Sequence, residues 1–319
     1  MSFAGSPDRI EARLVPEAGF ELDPFRIVGL PRRPGLAQAR AALLGANAVR
    51  ACARILAARR PHVVFGGGGY VAGPMVYAAW LRRIPAALAE ADAHLGLANR
   101  LAAPFARRVF LAYPVRGRDG AKYRVVGRPV PAVEPVAPAE ARAGFGLPAE
   151  GSVLLVAGGS LGARVLNELA IDAFGAAGPA VLHLCGERYA EELAGRRLRP
   201  DYRLLSWTDD FAGALAASDL VLGRAGGSVW EVAAAGKPAV LVPSPNVTAD
   251  HQTKNARYFE AAGGAVVVAE AEIARVPGVV GELLADDARL AAMREAMLRA
   301  AKPNAADEIA EELIALARG

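Results

Sequence analysis

At 319 residues the chain is long enough for two domains, each with a sizeable core. Ala and Gly supply much of its 53% hydrophobic content and aromatics only 6%, which suits close helix-on-sheet packing, and no run reaches the ~20 apolar residues of a membrane span. Two distant cysteines, Cys52 and Cys185, exclude a disulfide framework and a cysteine-based zinc site, and a formal charge of +4 is too small to argue for nucleic acid. Asp8, Arg9 and Glu11 stand where a signal peptide needs an apolar core, so the expected setting is a reducing cytoplasm.

The chain opens on a short strand, a turn and a helix in "SFAGSPDRIEARLVPEAGF". Short β-type runs then alternate with Ala-rich helical stretches: "PHVVFG" before Met75 to Arg82, "IPAALAE" before Leu97 to Phe105, then "RRVFLAY" and "KYRVVG". A proline-dense segment, "GRPVPAVEPVAPAEARAGFGLPAEG", suits an interdomain linker with a boundary near Pro131. The pattern resumes with "SVLLVAG", "AVLHLCG", "YRLLSW", "DLVLG", "PAVLVPS" and "GAVVVA", with helices from Ala163 and near Glu231 and Asn255. Strands alternating with helices predict two doubly wound α/β domains, 1–131 and 132–319, whose parallel sheets are covered on both faces. The first half, however, lacks the strand and glycine loop with which such a domain normally begins.

Two glycine clusters follow strands. "FGGGGYVAGP", Phe65 to Pro74, permits close backbone approach to a ligand, with Pro74 fitting the first turn of the next helix. "VLLVAGGSLGAR", Val153 to Arg164, admits two readings. Gly158-Gly159-Ser160-Leu161-Gly162 fits the G-x-S-x-G nucleophile elbow of a hydrolase, with a later Asp and His251 in hydrolase order. It also reads as a phosphate-holding helix N-terminus. Arg164 in the first helical turn favours phosphate, since a cation there opposes the helix dipole unless an anion is held nearby. Farther on, "RAGGSVWEVAAAGKPAVLVP" places Arg224, Gly226, Gly227, Ser228 and Glu231 at another helix start, where a carboxylate can bind paired ribose hydroxyls or complement the helix dipole. "TADHQTKNA" gathers Asp250, His251, Gln252 and Asn255, a set suited to sugar hydroxyls beyond what capping requires.

Taken in order, "GGGGYVAGP", "GGSLGAR-x-LN", "RAGGS-x-x-E-x-AAAGKPA" and "DHQTKNA" resemble the MurG family, the undecaprenyl-diphospho-muramoylpentapeptide N-acetylglucosaminyltransferases of peptidoglycan synthesis. The resemblance covers nearly the whole chain. It implies the GT-B fold, an N-terminal acceptor domain, a C-terminal UDP-GlcNAc domain, and a last helix packing back on the first. It also implies inverting transfer of GlcNAc onto lipid I without metal or cofactor.

Residue by residue, the resemblance puts Gly158, Gly159, Ser160 and Gly162 at the donor diphosphate with Arg164 close by. Thr208 falls at the uracil and Glu231 at the ribose, with Arg224, Gly226 and Ser228 beside it. His251, Gln252 and Asn255 fall at the GlcNAc. Gly66, Gly67, Gly68, Gly69, Tyr70, Asn99 and Arg128 fall on the acceptor-diphosphate side. The family's opening GGTGGH-type loop, whose His is a candidate base, has no counterpart here. Its HEQN motif reads Ala89-Glu90-Ala91-Asp92, and the basic residue after its GNPV is Pro131, with Arg128 nearby.

Two expectations follow from these gaps. The favoured one is a mis-started copy of a working enzyme in which Glu90, Asp92 or His94 serves as substitute base. The other is a paralogue that binds nucleotide-sugar without transfer. A GT-B enzyme with another lipid acceptor and a serine hydrolase at Ser160 are the remaining readings. The lipid acceptor requires membrane contact, and "PRRPGLAQARAALLGANAVRACARILAARRP" sets Arg32, Arg33, Arg40, Arg50, Arg54, Arg59 and Arg60 among apolar residues. Such a basic amphipathic stretch suits anionic inner-leaflet lipids at the cytoplasmic face of the plasma membrane. Other cell-wall synthesis proteins are further expected partners.

Overall fold

The computed structural model describes residues 1–27, 45–131 and 136–319 in full and the helical backbone over 36–44. It divides into two compact units, Met1–Val126 with Ala306–Gly319, and Gly127–Ala305. The division falls a few residues ahead of Pro131.

In the first unit, β1 (Phe3–Gly5) and β2 (Leu22–Pro24) pair in parallel around α1 (Glu11–Glu17). After α2 (Leu36–Arg59), the strands β3 (Val64–Gly66), β4 (Ala86–Glu90), β5 (Arg108–Leu111) and β6 (Tyr123–Val125) form a second parallel sheet in that order. Helices α3 (Gly69–Leu81) and α4 (Leu97–Ala102) connect them, as parallel pairing requires. Buried Cys52, Leu56, Val76, Leu88, Val109 and Leu111 make the core between sheet and helices.

One sequence expectation is corrected here. Pro74 is not in a first turn, because α3 begins at Gly69 rather than near Met75. Positive φ at Gly68 (103°) and Gly69 (72°) turns the chain directly off β3 into the helix, a conformation open to glycine. Pro74 therefore lies inside α3 and forgoes a backbone hydrogen bond close to the helix start.

The second unit opens with α5 (Pro138–Gly144). Its six parallel strands are β7 (Val153–Ala157), β8 (Ala180–Leu184), β9 (Tyr202–Leu205), β10 (Leu220–Gly223), β11 (Ala239–Leu241) and β12 (Ala265–Val267). Their order is β12-β11-β10-β7-β8-β9. Connecting helices are α6 (Arg164–Phe174), α7 (Glu187–Leu193), α8 (Phe211–Ala217), α9 (Val229–Ala234) and α10 (His251–Ala261), followed by α11 (Val276–Leu284) and α12 (Asp287–Ala300). The apolar runs are buried on both faces: Leu154 and Val156 join a core with Leu166, Phe174, Leu220 and Val240, and Val153 and Leu155 are equally inaccessible.

Chain order reverses at β7, with β8 and β9 on one side and β10 to β12 on the other. The register sets Gly223, Ala157, Leu184 and Leu205 in one row, so four strand ends deliver their loops at one level. That is the switch-point crevice where open α/β sheets bind ligands.

The final helix, α13 (Ala305–Arg318), belongs from Ala306 onward to the first unit. Ile309 is buried with Ala87, Phe110 and Val126, and Glu312 pairs with Arg108 (3.1 Å) and Arg124 (2.7 Å).

Candidate active site

The switch point of the second unit holds a pocket built from four strand ends. From β7 come Ala157, Gly159 and Ser160; from β8, Leu184. The segment after β9 gives Trp207, Thr208, Asp209 and Phe211, and that after β10 gives Ser228 and Glu231.

The Gly158–Gly162 loop is shaped by its neighbours. Gly162 has φ +72°, and a Cβ there would overlap the Cys185 carbonyl oxygen, so two loops meet backbone to backbone. Gly159, with φ +92°, faces open space over the pocket, which leaves its backbone accessible to a ligand. Ser160 is exposed and its φ is not left-handed, unlike the strained serine of a nucleophile elbow. Among the described residues no imidazole bonds to it: His251 Nδ1 is engaged by the Thr248 carbonyl at 2.9 Å, and His183 is buried. The site is not a hydrolase triad.

Arg164 does not face the pocket. Its guanidinium makes two bonds to Glu192, at 2.7 and 2.9 Å, and covers the Tyr189 ring at 5.2 Å. The anion that offsets the unfavourable dipole position is therefore the protein's own carboxylate. Arg224 is likewise committed, to Glu270 at 2.5 Å and the Val242 carbonyl at 3.0 Å.

Glu231, in the first turn of α9, does line the pocket. Burial raises its pKa and the positive charge of Arg128 lowers it in part. Arg128 itself belongs to the second unit and packs on Gly227.

The "DHQTKNA" cluster is divided by the fold. Asn255 is fully buried and donates to the Ala225 carbonyl at 3.1 Å, so it fixes the Arg224–Gly227 turn rather than reaching a sugar. Gln252 Oε1 accepts from the Ser244 amide at 2.8 Å. Positive φ at Ala249 (56°) and Asp250 (52°) marks the turn before α10, a conformation uncommon outside glycine and found at functional turns.

Sequence reasoning on this pocket missed Trp207, Asp209 and Phe211. Trp207 donates through Nε1 to Asp209 Oδ1 at 3.3 Å, and Asp210 caps α8 by accepting from Gly213 at 2.7 Å. The available signal was the aromatic-acidic run "SWTDDF" placed directly after a strand. At the other end of α8, buried Lys237 donates to the Ser218 carbonyl at 2.7 Å, and burial pulls its pKa down to about 8.

In the first unit, Gly66 to Tyr70 connect β3 to α3. A Cβ on Gly66 would press on Ala72 and Leu88 at 2.9 Å, so this glycine serves packing, while Gly67 and Gly69 face open space. Asn99 is buried and donates to the Ala89 carbonyl (2.9 Å) and to Glu90 (3.0 Å). Glu90 also accepts from the Gly96 amide at 2.9 Å and the Asp92 amide at 3.3 Å, so its carboxylate organises the loop it begins. Asp92 and His94 are partly buried on that loop.

Among the described residues no three His, Cys, Asp or Glu side chains assemble a metal site, and no helix is long and apolar enough to cross a membrane.

Two parallel-sheet α/β units, the second with a pocket at its strand-order reversal, make a fold found among nucleotide-sugar glycosyltransferases, and comparison with known proteins places the chain in that class. The glycosyltransferase family 28 N-terminal domain is matched over residues 2–111 and the family's C-terminal domain over 153–310. A Salinibacter ruber UDP-N-acetylglucosamine--N-acetylmuramyl-(pentapeptide) pyrophosphoryl-undecaprenol N-acetylglucosamine transferase is 42% identical over 99% of this chain and 88% of its own. The Acidithiobacillus ferrooxidans protein of that name is 39% identical over 100% and 90%. The crystal structure of Acinetobacter baumannii MurG superposes with a TM-score of 0.75 at 26% identity, covering 98% of this chain and 90% of that one. A calicheamicin glycosyltransferase shares the fold at a TM-score of 0.67 and 18% identity over 98% and 90%. The chain belongs to the MurG family of glycosyltransferases, in glycosyltransferase family 28, and has its GT-B fold.

Proposed function

We propose that the chain transfers GlcNAc from UDP-GlcNAc to the muramoyl 4-hydroxyl of undecaprenyl-diphospho-MurNAc-pentapeptide, lipid I, with inversion and without metal, giving lipid II. The observation that carries this reading is the second-unit pocket, in which Glu231 and the exposed Gly159–Ser160 backbone border one cavity with Trp207 and Thr208. A carboxylate suits a ribose diol, open glycine amides suit a diphosphate, and an indole suits a base.

In the reaction the acceptor oxygen attacks the anomeric carbon, its proton passes to a base, and the electron pair of the breaking C1–O bond goes to the departing UDP. Amides fixed in the Gly158–Gly162 loop stabilise that charge. The base is assigned to the 90–96 loop of the first unit, at Asp92 or His94, because the Glu90 carboxylate is already occupied by three donors. The first unit is the acceptor domain in this reading.

Membrane contact at the cytoplasmic face is assigned here to a surface that the sequence did not single out. Arg32, Arg33 and Arg40 lie outside the described side chains, and Arg59 is paired with Asp23 at 2.9 Å. By contrast, Trp80, Leu81, Leu97 and Leu101 are about half exposed on α3 and α4, with Arg82, Arg83 and Arg100 exposed beside them. Trp80 leans on Phe105 at 5.0 Å and Tyr77 at 5.7 Å, which makes a rigid apolar platform edged with cations. That composition suits an interface rich in anionic lipid.

The test is incubation of the chain with labelled UDP-GlcNAc and lipid I in the presence of a chelator. Lipid II formation is expected. UDP-GlcNAc binding without product would support the non-catalytic reading, and transfer to other glycolipids in preference to lipid I would support a different acceptor.

A further inference from the structure

Among the described residues Arg128 has a seat but no hydrogen-bonding partner. Its guanidinium lies directly on Gly227, in the turn into α9, where a Cβ would overlap Nη1 and Cζ. Gly227 does not have a left-handed φ, so its missing side chain serves to make room for this group. Gly127 fixes the other end of the seat. With φ +84°, it packs so closely that a Cβ would overlap the Lys302 side chain and press on Trp230 at 3.3 Å. Between these two crowded glycines the half-buried cation is held against Gly227, the neighbour in the chain of Ser228, which lines the pocket.

The other arginines near the pocket are satisfied by the protein: Arg164 by Glu192, Arg224 by Glu270 and Val242. Among the described residues Arg128 forms no hydrogen bond or ion pair, although its charge is close enough to offset part of the rise that burial gives the pKa of Glu231. A guanidinium whose donors are unused among the described residues, shielded on one face, is prepared for an anion that arrives from outside.

We propose that Arg128 is a donor-site ligand whose guanidinium binds the diphosphate of the nucleotide-sugar and holds the negative charge of UDP as the bond to the sugar breaks. This inference rests on the nucleotide-sugar reading of the pocket. It moves Arg128 from the acceptor side, where the sequence put it, to the donor side. The planar fork of arginine matches two phosphate oxygens at once, which a lysine ammonium cannot do. Charge on the leaving group grows in the transition state, so the contact affects turnover as well as binding.

The experiment is calorimetric titration of the full chain with UDP and with uridine, comparing wild type with Arg128→Gln, Arg128→Lys and Gly227→Ala. Arg128→Gln is expected to weaken UDP roughly 10- to 100-fold, the range of one charge-assisted contact, while uridine changes less than about twofold. Arg128→Lys should recover part of the loss. Gly227→Ala keeps every charge but displaces the guanidinium, and should repeat the Gln result. If Arg128→Gln does not fold, Gly227→Ala and Arg128→Lys carry the same UDP-to-uridine comparison. Equal weakening of UDP and uridine, or unchanged UDP binding in folded variants, overturns the role of Arg128 and leaves the pocket assignment standing. Failure of the wild type to bind UDP overturns the nucleotide-sugar reading and this inference with it.

Discussion

His183 Nε2 lies 3.0 Å from Asn167 Oδ1, and the direction of that bond is fixed by what the amide does next. Asn167 Nδ2 donates to the Cys185 carbonyl at 3.0 Å, so Oδ1 accepts and His183 Nε2 carries the proton. Nδ1 then accepts from the Tyr202 hydroxyl at 2.7 Å. This neutral, fully buried chain ties β8, β9 and α6 together and holds the carbonyl against which Gly162 is packed. Protonating Nδ1 would give up the hydrogen bond it accepts from the Tyr202 hydroxyl, and burial lowers the pKa of the ring to about 4.

Stability should therefore fall in acid through this one residue. The folded pKa is below the ordinary value near 6.5, so between pH 6.5 and 4 the unfolded chain binds more protons. His183 leaves stability unaffected above about 6.5 and costs about 3 kcal/mol once pH has fallen to 4. Urea unfolding across that range should show the slope in wild type. His183→Leu should lose that contribution to the slope and be less stable at pH 7 by about 1–3 kcal/mol for each polar partner left unsatisfied. A parallel pH dependence in the variant would remove His183 as the cause.

Glu231 should distinguish the sugar of the nucleotide. Glu231→Ala is expected to weaken UDP by roughly 10- to 100-fold, in line with hydrogen bonds to a charged acceptor. For 2′-deoxy-UDP the same substitution should cost distinctly less. Equal losses for the two nucleotides would place the carboxylate away from the ribose.

The 90–96 loop offers a separation of roles. Glu90→Ala should lower both turnover and thermal stability, because it releases the Gly96 and Asp92 amides and the Asn99 side chain. Asp92→Asn or His94→Ala should instead lower kcat by roughly 100-fold with KM and the melting temperature little changed, the signature of a lost general base. If both keep wild-type turnover, neither Asp92 nor His94 is the base.

The apolar platform on α3 and α4 predicts vesicle binding. Trp80→Ser and Leu97→Ser should reduce sedimentation with vesicles rich in anionic lipid, and each of Arg82→Glu and Arg83→Glu should weaken it by at least about fivefold at low salt, from roughly 1 kcal/mol per basic residue. Transfer to a water-soluble acceptor analogue should be unaffected. Arg54→Glu on α2 serves as the control and is expected to change neither.

By itself, the sequence determined the order of strands and helices, the two glycine turns and the family motifs. Each is written in neighbouring residues: β-rich runs ended by glycine, with Ala-rich helical stretches between them. The strand-end loops of Gly158–Gly162 and "RAGGS" were legible for the same reason. Only the tertiary structure decided which polar groups remain available to a ligand. Arg164 was read as facing a phosphate because Glu192, which satisfies it, lies a strand and a helix further along the chain. Asn255 was read as a sugar contact because its burial against Ala225 depends on where α10 packs. That Arg128 rests on Gly227 is equally hidden in its own stretch of sequence, because Gly227 lies far along the chain in the turn into α9. Hydrogen bonds and ion pairs act through space at about 3 Å, and it is the packing of neighbouring helices and strand-end loops, not distance along the chain, that brings those partners within reach.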